Sequence, residues 1–248
     1  MEWENKLREV FEEIIWQIPE RVGVIFSGGV DSSFLAYLIN MHDKDVHLYT
    51  AGSKDSHDKR WAEKAAVLLG LPIKFIEPDA EEIRKAIKEI KDIESGTDAL
   101  SILIDLPLYF VCKYSLNPVL VSGQGSDELF LGYKKYESKN TSEIDLKKLL
   151  QRDIIRESKI AERFNKKIIF PYLDIALISL ANSIPYEFKI KDGIHKYILR
   201  NTALRLGLNP EIAWKPKKSA QYSSGFKYFV DIMALNEGKK TYEFIRDL

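Results

Sequence analysis

The sequence predicts an α/β fold, in which a doubly wound parallel sheet is followed by a mainly helical C-terminal half. Short β-rich apolar runs alternate with helical apolar spacing over residues 1–142, which is typical of strands joined by crossover helices. Glycine-rich turns follow two of those runs, at the edge where sheets of this kind bind ligands. From residue 143 onward helical spacing continues and no run predicts a strand. We therefore expect one domain over residues 1–248, with an α/β part at 1–142 and a mainly helical part at 143–248.

The first half of the chain alternates helices and strands. Apolar residues at helical spacing over 1–18 predict the first helix, which Pro19 ends. The β-rich run 22–26 predicts a buried strand, and the next helix is expected to begin at Val30. Further strands are expected at 46–50, 73–76 and 118–121. The helices between them have their apolar faces at Trp61, Ala65, Leu68 and Leu69, at Ile83, Ile87 and Ile90, and at Leu106, Phe110 and Tyr114.

Glycine, proline and polar stretches bound these elements. Gly70 stops the helix that carries Trp61, and Pro107 is expected to enter or kink the helix that carries Tyr114. The polar stretch 133–142 is expected to form an exposed loop. Helical spacing then resumes at Leu146, Leu149, Leu150, Ile154 and Ile155, and again at Ile194, Ile198, Thr202 and Leu206.

Charge and composition exclude several classes of protein. Lys+Arg and Asp+Glu both number 37, so we expect no general attraction to nucleic acid or to an anionic membrane. No apolar run approaches the length of a membrane span, and the acidic N-terminus is unlike a signal peptide. The one cysteine, Cys112, excludes an internal disulfide and is expected to be a buried apolar residue. We expect a cytoplasmic protein.

The segment Ser27-Gly28-Gly29-Val30-Asp31-Ser32-Ser33 joins the first strand to the helix after it. Two glycines let the backbone approach a ligand, three hydroxyls add donors, and the helix N-terminus attracts anions. Asp31 would repel a phosphate unless a cation lies between them, so it suggests Mg²⁺. The alternative, a capped strand–helix connection, needs neither both glycines nor three hydroxyls.

A second loop of the same kind, Ser122-Gly123-Gln124-Gly125-Ser126-Asp127-Glu128, follows the fourth strand. Its acids could serve only as complements to a helix dipole, but its glycines favour close approach of the backbone to a ligand. Thr50, Ala51, Gly52 and Ser53 follow the second strand. Because the carboxyl ends of parallel strands meet at one edge, we expect these three segments to form one site.

The first loop resembles the pyrophosphate loop of the ATP pyrophosphatases, and both loops together resemble the synthetase domain of the asparagine synthetase family. Four further segments support the resemblance, which extends over nearly the whole chain. They are Asp105-Leu106-Pro107-Leu108-Tyr109, Ile169-Phe170-Pro171-Tyr172-Leu173-Asp174, Lys196-Tyr197-Ile198-Leu199-Arg200 and Lys215-Pro216-Lys217-Lys218. The resemblance implies the fold of the ATP pyrophosphatases (adenine nucleotide alpha hydrolase-like).

The resemblance also implies an ATP-dependent ligase that adenylates a carboxylate, aspartate by default, and then forms an amide with ammonia or another amine. The ATP-binding residues that it implies are Phe26, Ser27, Gly28, Gly29, Asp31, Ser32, Thr50, Ala51, Gly52, Gly123 and Gln124. Asp31 and Asp127 would hold Mg²⁺. The catalytic candidates are Gln124 and Lys217, with Lys218 as the alternative to Lys217 if the register differs by one residue.

Two departures from the family pattern affect the expected reaction. Full members carry an N-terminal glutaminase domain with a catalytic Cys as first residue, whereas here the only cysteine is Cys112. We expect a stand-alone synthetase domain that takes free ammonia, receives nitrogen from a separate glutaminase or other amine-supplying protein, or uses another amine. In addition, Gln124 stands where the family loop usually has Glu, and an amide cannot act as a base at neutral pH.

Alternative functions stay open at this point. The chain could be a catalytically weak ATP-binding or regulatory subunit of a larger amidotransferase complex, because Gln124 cannot take a proton. An ATP pyrophosphatase that modifies tRNA shares the first loop but usually brings a basic face or a reactive cysteine. The segment 215–218 could be solvated surface or a weak nucleic-acid contact. A homodimer is also open.

Overall fold

The computed structural model describes residues 2–53, 57–93, 97–139, 141–216 and 224–248. Five parallel strands form one sheet: β1 (Arg21–Ile25), β2 (Asp45–Ala51), β3 (Ile73–Ile76), β4 (Val119–Val121) and β5 (Lys167–Ile169). A two-stranded antiparallel hairpin, β6 (Ile190–Lys191) and β7 (Ile194–His195), lies apart from this sheet.

Helices occupy most of the remaining chain. The first nine are α1 (Glu2–Trp16), α2 (Val30–Met41), α3 (His57–Leu69), α4 (Ala80–Ile93), α5 (Ala99–Tyr114), α6 (Ser126–Leu129), α7 (Tyr136–Lys139), α8 (Glu143–Lys148) and α9 (Ile154–Glu162). The others described are α10 (Ile175–Ser183), α11 (Tyr186–Lys189), α12 (Tyr197–Arg205), α13 (Pro210–Ala213), α14 (Phe226–Asn236) and α15 (Thr241–Asp247). A π-helical turn, Leu149–Asp153, joins α8 to α9, and a 3₁₀ turn, Pro171–Leu173, precedes α10.

The sheet order β3-β2-β1-β4-β5 confirms the predicted doubly wound α/β fold. The chain moves outward from β1 to β3 and then returns to β4 on the other side of β1. Val24 of β1 pairs with Val121 of β4, so the loops that follow these two strands leave the sheet side by side. The place where these two loops diverge is the topological switch point, at which sheets of this kind bind ligands.

Hydrophobic clusters cover both faces of the sheet. Consecutive residues of β4, Leu120 and Val121, belong to different buried clusters, as expected of a strand whose side chains alternate between faces. Helices α1, α2, α10 and α12 contribute to the cluster on one face, and α4, α5, α14 and α15 contribute to that on the other. Cys112 is fully buried in the second cluster, which confirms its expected apolar role.

Several sequence predictions about local structure differ from the structure. Strand β5 and the hairpin of β6 and β7 lie in the half where no strand was expected, because runs of two or three residues give too short a pattern to recognise. Ile194 was expected in a helix but belongs to β7, and that helix begins at Tyr197. Of the two roles expected for Pro107, entry into the helix is wrong, since Pro107 lies inside α5 and Asp98 caps that helix by accepting hydrogen bonds from the N–H groups of Leu100 and Ser101. The stretch 133–142 is not an exposed loop throughout, because it contains α7, and Tyr136 is fully buried against Leu131.

The division of the chain at residue 142 stays a prediction. Within the part of the chain that the structure describes, no helix has the length and apolar character required to cross a membrane.

Candidate active site

The first glycine loop leaves β1 at its carboxyl end and turns into α2. Gly29 is the N-cap of this 12-residue helix, and its cap makes no side-chain hydrogen bond. The hydroxyl oxygens of Ser27 and Ser32 lie 3.4 Å apart, and Ser32 Oγ accepts a hydrogen bond from the backbone N–H of Ser27 at 3.3 Å. The turn therefore presents two hydroxyl groups and the N-terminal N–H groups of a helix, an arrangement that binds anions.

The second glycine loop packs directly on the first. A Cβ atom at Gly123 would lie 3.3 Å from Asp31 Cβ and 3.3 Å from the backbone nitrogen of Ser32. Ser126 Oγ donates a hydrogen bond to Asp31 Oδ1 at 2.8 Å. Tyr172, from the Pro-Tyr-Leu-Asp turn, donates its hydroxyl hydrogen to the Asp31 carbonyl oxygen at 3.1 Å. Three segments that are distant in sequence thus meet at Asp31.

Lys196 is buried between the two carboxylates of this junction. Its Nζ lies 2.7 Å from Asp31 Oδ2 and 2.7 Å from Asp127 Oδ1, and it donates to Ser126 Oγ at 3.2 Å. Burial acts to lower the pKa of Lys196, but the charges of Asp127 and Asp31 outweigh burial and raise the pKa above its usual value. The ammonium therefore stays charged and offsets part of the negative charge beside the anion-binding turn.

Two backbone features make room for this lysine. Lys196 adopts φ 57° and ψ 30°, a left-handed conformation that is uncommon for residues other than glycine. A Cβ atom at Gly132 would lie 1.9 Å from Asp127 Oδ1 and 2.3 Å from Lys196 Cε, so any larger residue would displace the ion pair. Backbone strain of this kind concentrates at functional sites.

A cavity of about 500 Å³ opens between the two loops, a volume in the range of small-molecule sites. The predicted site residues that line it are Phe26, Ser27, Gly29, Asp31, Ser32, Thr50, Ala51, Gly123, Gln124 and Asp127. Gly28 and Gly52 lie in the same loops but outside the lining. The Gly28 carbonyl oxygen accepts a hydrogen bond from Trp61 Nε1 at 2.6 Å, and the Gly52 N–H donates to Ile76 O at 3.1 Å. Lys217 and Lys218 lie outside the described residues.

Asp31 and Asp127 have the chemistry of magnesium ligands. Their side chains are 25% and 19% exposed, and both face the same cavity. Among the residues that the structure describes, no group of three or more His, Cys, Asp or Glu side chains could hold a metal ion. Mg²⁺ usually takes only one or two protein carboxylates when phosphate oxygens and waters complete its shell. The pair therefore fits a Mg²⁺ ion that arrives with a nucleotide.

The sequence model of the family described as asparagine synthase matches residues 16–144 and 137–237 of this chain. The chain belongs to the asparagine synthase family. One relative, from Methanocaldococcus jannaschii, bears the provisional name asparagine synthetase (glutamine-hydrolyzing) 1; it is 29% identical over 91% of this chain and 50% of its own length. The asparagine synthetase (glutamine-hydrolyzing) of Rattus norvegicus is 30% identical over 87% of this chain and 42% of its own.

The chain thus spans about half the length of the curated relatives that it matches. Among solved structures, the NMN synthetase of Francisella tularensis aligns with 98% of this chain and 90% of its own, at 13% identity and a TM-score of 0.46.

The second loop of this asparagine synthase family member carries Gln124, and the structure shows what its side chain contacts. Gln124 Nε2 donates a hydrogen bond to Glu157 Oε1 of α9 at 2.8 Å. Glu157 lines the cavity and is 5% exposed. Burial and the negative charge of Asp105 raise the pKa of Glu157 to about 8, although the hydrogen bond from Gln124 acts in the opposite direction. A carboxyl group therefore lies beside the position where the loop itself has an amide.

A buried ion pair holds α9, and with it Glu157, against α5. Arg156 donates from Nε and Nη2 to the two carboxylate oxygens of Asp105, and from Nη1 to Asp153 Oδ1 at 3.0 Å. Burial raises the pKa of Asp105 to about 6, although Arg156 lowers it. Arg156 forms its ion pairs with Asp105 and Asp153, so its positive charge acts on the nearby Glu157 without forming an ion pair with it.

Arg200 connects the Lys-x-x-Leu-Arg helix to the segment that leads to Lys217. Its Nε donates to His195 O at 2.9 Å, and its Nη1 donates to Lys215 O at 3.1 Å. The Lys215 ammonium lies 4.7 Å from the ring centroid of Trp61, the residue that also bonds the first glycine loop. These contacts hold Lys215 beside Trp61, the residue that bonds the first glycine loop.

Sequence reasoning assigned no role to Lys196 or Glu157. Lys196 begins a motif that carried the family resemblance, so the motif itself was the signal. Glu157 has a weaker signal, since it stands three and four residues before the buried Ile160 and Ala161. A carboxyl group on the buried face of an amphipathic helix is uncommon and marks a candidate functional residue.

Proposed function

We propose that this asparagine synthase family member is an ATP-dependent ligase that adenylates a carboxylate and then forms an amide. First, a carboxylate oxygen attacks the α-phosphorus of ATP, and the bond from that phosphorus to pyrophosphate breaks. An amine nitrogen then attacks the acyl carbon and loses a proton, and AMP leaves with the electrons of the carbon–oxygen bond. The observation that carries the proposal is the meeting of both glycine loops and Lys196 at Asp31, in one cavity.

Donors of the first glycine loop would bind the ATP phosphates. Ser27 and Ser32 contribute hydroxyl groups, and Gly29 begins the helix whose N–H groups point toward an anion. The family resemblance adds Gly28 to this set. Lys196 lines the same cavity and supplies a buried positive charge that lowers the repulsion between Asp31 and a bound phosphate.

Asp31 and Asp127 would hold the Mg²⁺ that accompanies ATP. Bound Mg²⁺ supplies charge neutralisation for the phosphates and for the pyrophosphate that leaves. The two aspartates are oriented for this role by hydrogen bonds and ion pairs from Ser126 and Lys196.

The nucleoside would lie across the carboxyl ends of β2 and β4. Thr50, Ala51 and Gly123 line that part of the cavity, with Gly52 directly behind, and the side chain of Thr50 is anchored on the Phe26 carbonyl oxygen. Backbone groups at strand ends are well suited to contact a base and a ribose at a switch point.

Lys217 would place a cation where charge develops on the α-phosphate and the adenylated carboxylate, with Lys218 as the alternative. Arg200 supports this assignment because it fixes Lys215 O, two residues before Lys217. A cation aimed at developing charge is often the largest catalytic contribution.

Aspartate is the default acid, because the curated relatives are named asparagine synthetases. Ammonia is the default nitrogen source, whether free or supplied by a separate glutaminase or other amine-supplying protein. The names of the relatives include glutamine hydrolysis, but those proteins are about twice as long as the segment that matches this chain.

Pyrophosphate release that depends on a carboxylic acid tests this function. The protein is incubated with ATP, Mg²⁺ and a panel of carboxylic acids that begins with aspartate. We expect one acid to raise pyrophosphate release above the rate with ATP alone. If ATP binds but no acid stimulates release, the protein is an ATP-binding regulatory subunit, the function that the non-basic Gln124 side chain favours.

A further inference from the structure

The contact between Gln124 and Glu157 joins two segments that are 33 residues apart in sequence and places both side chains in the wall of one cavity. Gln124 follows β4 in the loop that packs on Asp31, whereas Glu157 projects from α9. The amide donates to the carboxyl group at 2.8 Å, which is a well-formed hydrogen bond. A carboxyl group thus reaches the site from outside the glycine loop.

Glu157 is not part of the ion-pair network around it. Arg156, the adjacent cation, binds Asp105 and Asp153, and no ion pair of the described residues includes Glu157. Burial and the charge of Asp105 disfavour the ionised form of Glu157 more than the charge of Arg156 favours it, and such a perturbed acid in a cavity wall marks a candidate functional residue. Its contact with the loop residue where the family usually has Glu supports this assignment.

We propose that Glu157 is the proton acceptor of the amide-forming step, and that Gln124 is a positioning residue that holds it. This inference rests on the proposed function. The amine nitrogen attacks the acyl carbon of the adenylate, one of its protons passes to the Glu157 carboxylate, and the bond from the acyl carbon to the AMP oxygen breaks. An amide has both donor and acceptor atoms, so Gln124 can bind Glu157 through its N–H and the amine through its oxygen.

The pH dependence of the second half-reaction follows from the groups that face Glu157. They are Asp105 and Cys112 of α5, Arg156 of α9, and Asp153 of the π-helical turn that precedes α9. Burial raises the pKa of Cys112 to about 12, so the thiol stays neutral, and Glu157 itself has a pKa near 8. Because only the carboxylate form accepts a proton, amide formation at a constant concentration of free, unprotonated amine should rise as pH increases through about 8, while adenylation has no such dependence on Glu157.

The experiment measures both half-reactions with aspartate and ammonia as the probes, using acid-dependent exchange of pyrophosphate into ATP for the first and asparagine for the second. The variants are Glu157→Gln, the exposed control Glu162→Gln on the same helix, and the exchange double variant Gln124→Glu with Glu157→Gln. We expect Glu157→Gln to keep the exchange reaction and to lower asparagine formation ~10²–10⁴-fold, the usual range for loss of a general base. When the concentration of free NH3 is held constant across pH, Glu157→Gln should also lose the rise near pH 8, and Glu162→Gln should behave as the unmodified protein.

The double variant separates a proton-transfer role from a structural one. It keeps the hydrogen-bonded amide–carboxyl pair but reverses its direction, so we expect it to recover part of the amide formation that Glu157→Gln loses. Hydroxylamine, a nucleophile that is largely unprotonated at neutral pH, should trap the adenylate equally in the unmodified protein and Glu157→Gln.

Three results would overturn the inference. Asparagine formation by Glu157→Gln within about threefold of the unmodified protein would show that no proton passes to Glu157, against the loss expected for a general base. Equal losses of both half-reactions, without recovery in the double variant, would show a structural role. Absence of pyrophosphate exchange in the unmodified protein would remove the proposed function and this inference with it, whereas exchange without an effect of Glu157→Gln removes the inference alone.

Discussion

The ammonium nitrogen of Lys196 lies 2.7 Å from a carboxylate oxygen of Asp31, and Lys196 is almost completely buried. This ion pair links the helix that follows Lys196 to the first turn of α2, where the phosphate loop ends. A second carboxylate, from Asp127, lies at the same distance from the ammonium. Lys196 therefore holds the two glycine loops together in the wall of the cavity.

Replacement of Lys196 by Met is expected to destabilise the protein by about 3–5 kcal/mol, because it leaves Asp31 and Asp127 without their buried counter-ion. Urea unfolding at pH 7 measures the change, with Lys88→Met on the exposed face of α4 as the control. A loss below about 1 kcal/mol, the scale of a surface ion pair, would show that the contact contributes little to folding.

Replacement of Asp31 by Asn is expected to lower acid-dependent pyrophosphate release by ~10²-fold or more while the fold is retained, because an amide is a poor ligand for Mg²⁺ beside phosphate. Asn keeps the shape and one acceptor for Ser126. The exposed Asp43→Asn variant is the control, since Asn tolerates the left-handed backbone there. Normal pyrophosphate release by Asp31→Asn at saturating Mg²⁺ would remove Asp31 from the site.

Lys217→Ala is expected to slow adenylation by ~10²-fold or more while ATP affinity changes little, because a cation that meets charge in the transition state acts mainly on the rate constant. Pyrophosphate exchange rates and equilibrium ATP binding are measured for Lys217→Ala and Lys218→Ala side by side. If Lys218→Ala alone shows the loss, the assignment is shifted by one residue. Loss in neither variant would identify the segment as solvated surface.

Gln124→Glu alone is expected to give no increase in asparagine formation from aspartate and ammonia. The new carboxyl group would lie at hydrogen-bond distance from Glu157. Two carboxyl groups at such a short distance share one proton, so the site gains no second base. A general base that had been missing would raise the rate by ~10²–10⁴-fold. A gain of that size would show that the unmodified loop lacks its base and that Glu157 does not replace it.

The raised pKa of Glu157 predicts how stability changes with pH. The folded protein keeps a proton on Glu157 up to about pH 8, whereas the unfolded chain releases it near 4.5. The free energy of unfolding should therefore fall as pH rises between these values, by at most about 1.4 kcal/mol per pH unit from this group. Asp105 contributes in the same direction up to about pH 6.

Urea unfolding of the unmodified protein and of Glu157→Gln between pH 6 and 8 isolates the effect of Glu157. We expect the variant to show a flatter profile and to be the more stable of the two at pH 8, with Glu162→Gln retaining the original slope. Parallel profiles for the unmodified protein and Glu157→Gln would mean that Glu157 is already ionised in the folded state at neutral pH.

Local patterns were sufficient to predict the first four strands and both glycine loops. Those elements are encoded within short windows, as in the run that ends at Phe26 and the turn that contains Asp31, and alternation of strand and helix then determines the sheet type. Strand β5 was not predicted from the sequence, because three residues carry too little periodicity and the position of β5 is set by its pairing with β4.

The interior of the site was less predictable, because its key contacts join distant parts of the chain. Lys196 meets Asp31 across 165 residues, and Glu157 meets Gln124 across 33. No local pattern encodes which charged residue will be buried against which partner. The loops could be read from sequence, whereas the groups that hold them together became visible only in three dimensions.

The central claim is that a carboxylate oxygen attacks the α-phosphorus of ATP. An ¹⁸O label in that carboxylate tests the claim most directly. The protein is incubated with Mg²⁺, ATP, ammonia and aspartate whose side-chain carboxylate carries ¹⁸O, and the nucleotide product is analysed by mass spectrometry. We predict that ATP is converted to AMP and pyrophosphate and that the AMP carries one ¹⁸O atom from the carboxylate. Formation of ADP, or of AMP without the label, would contradict the account.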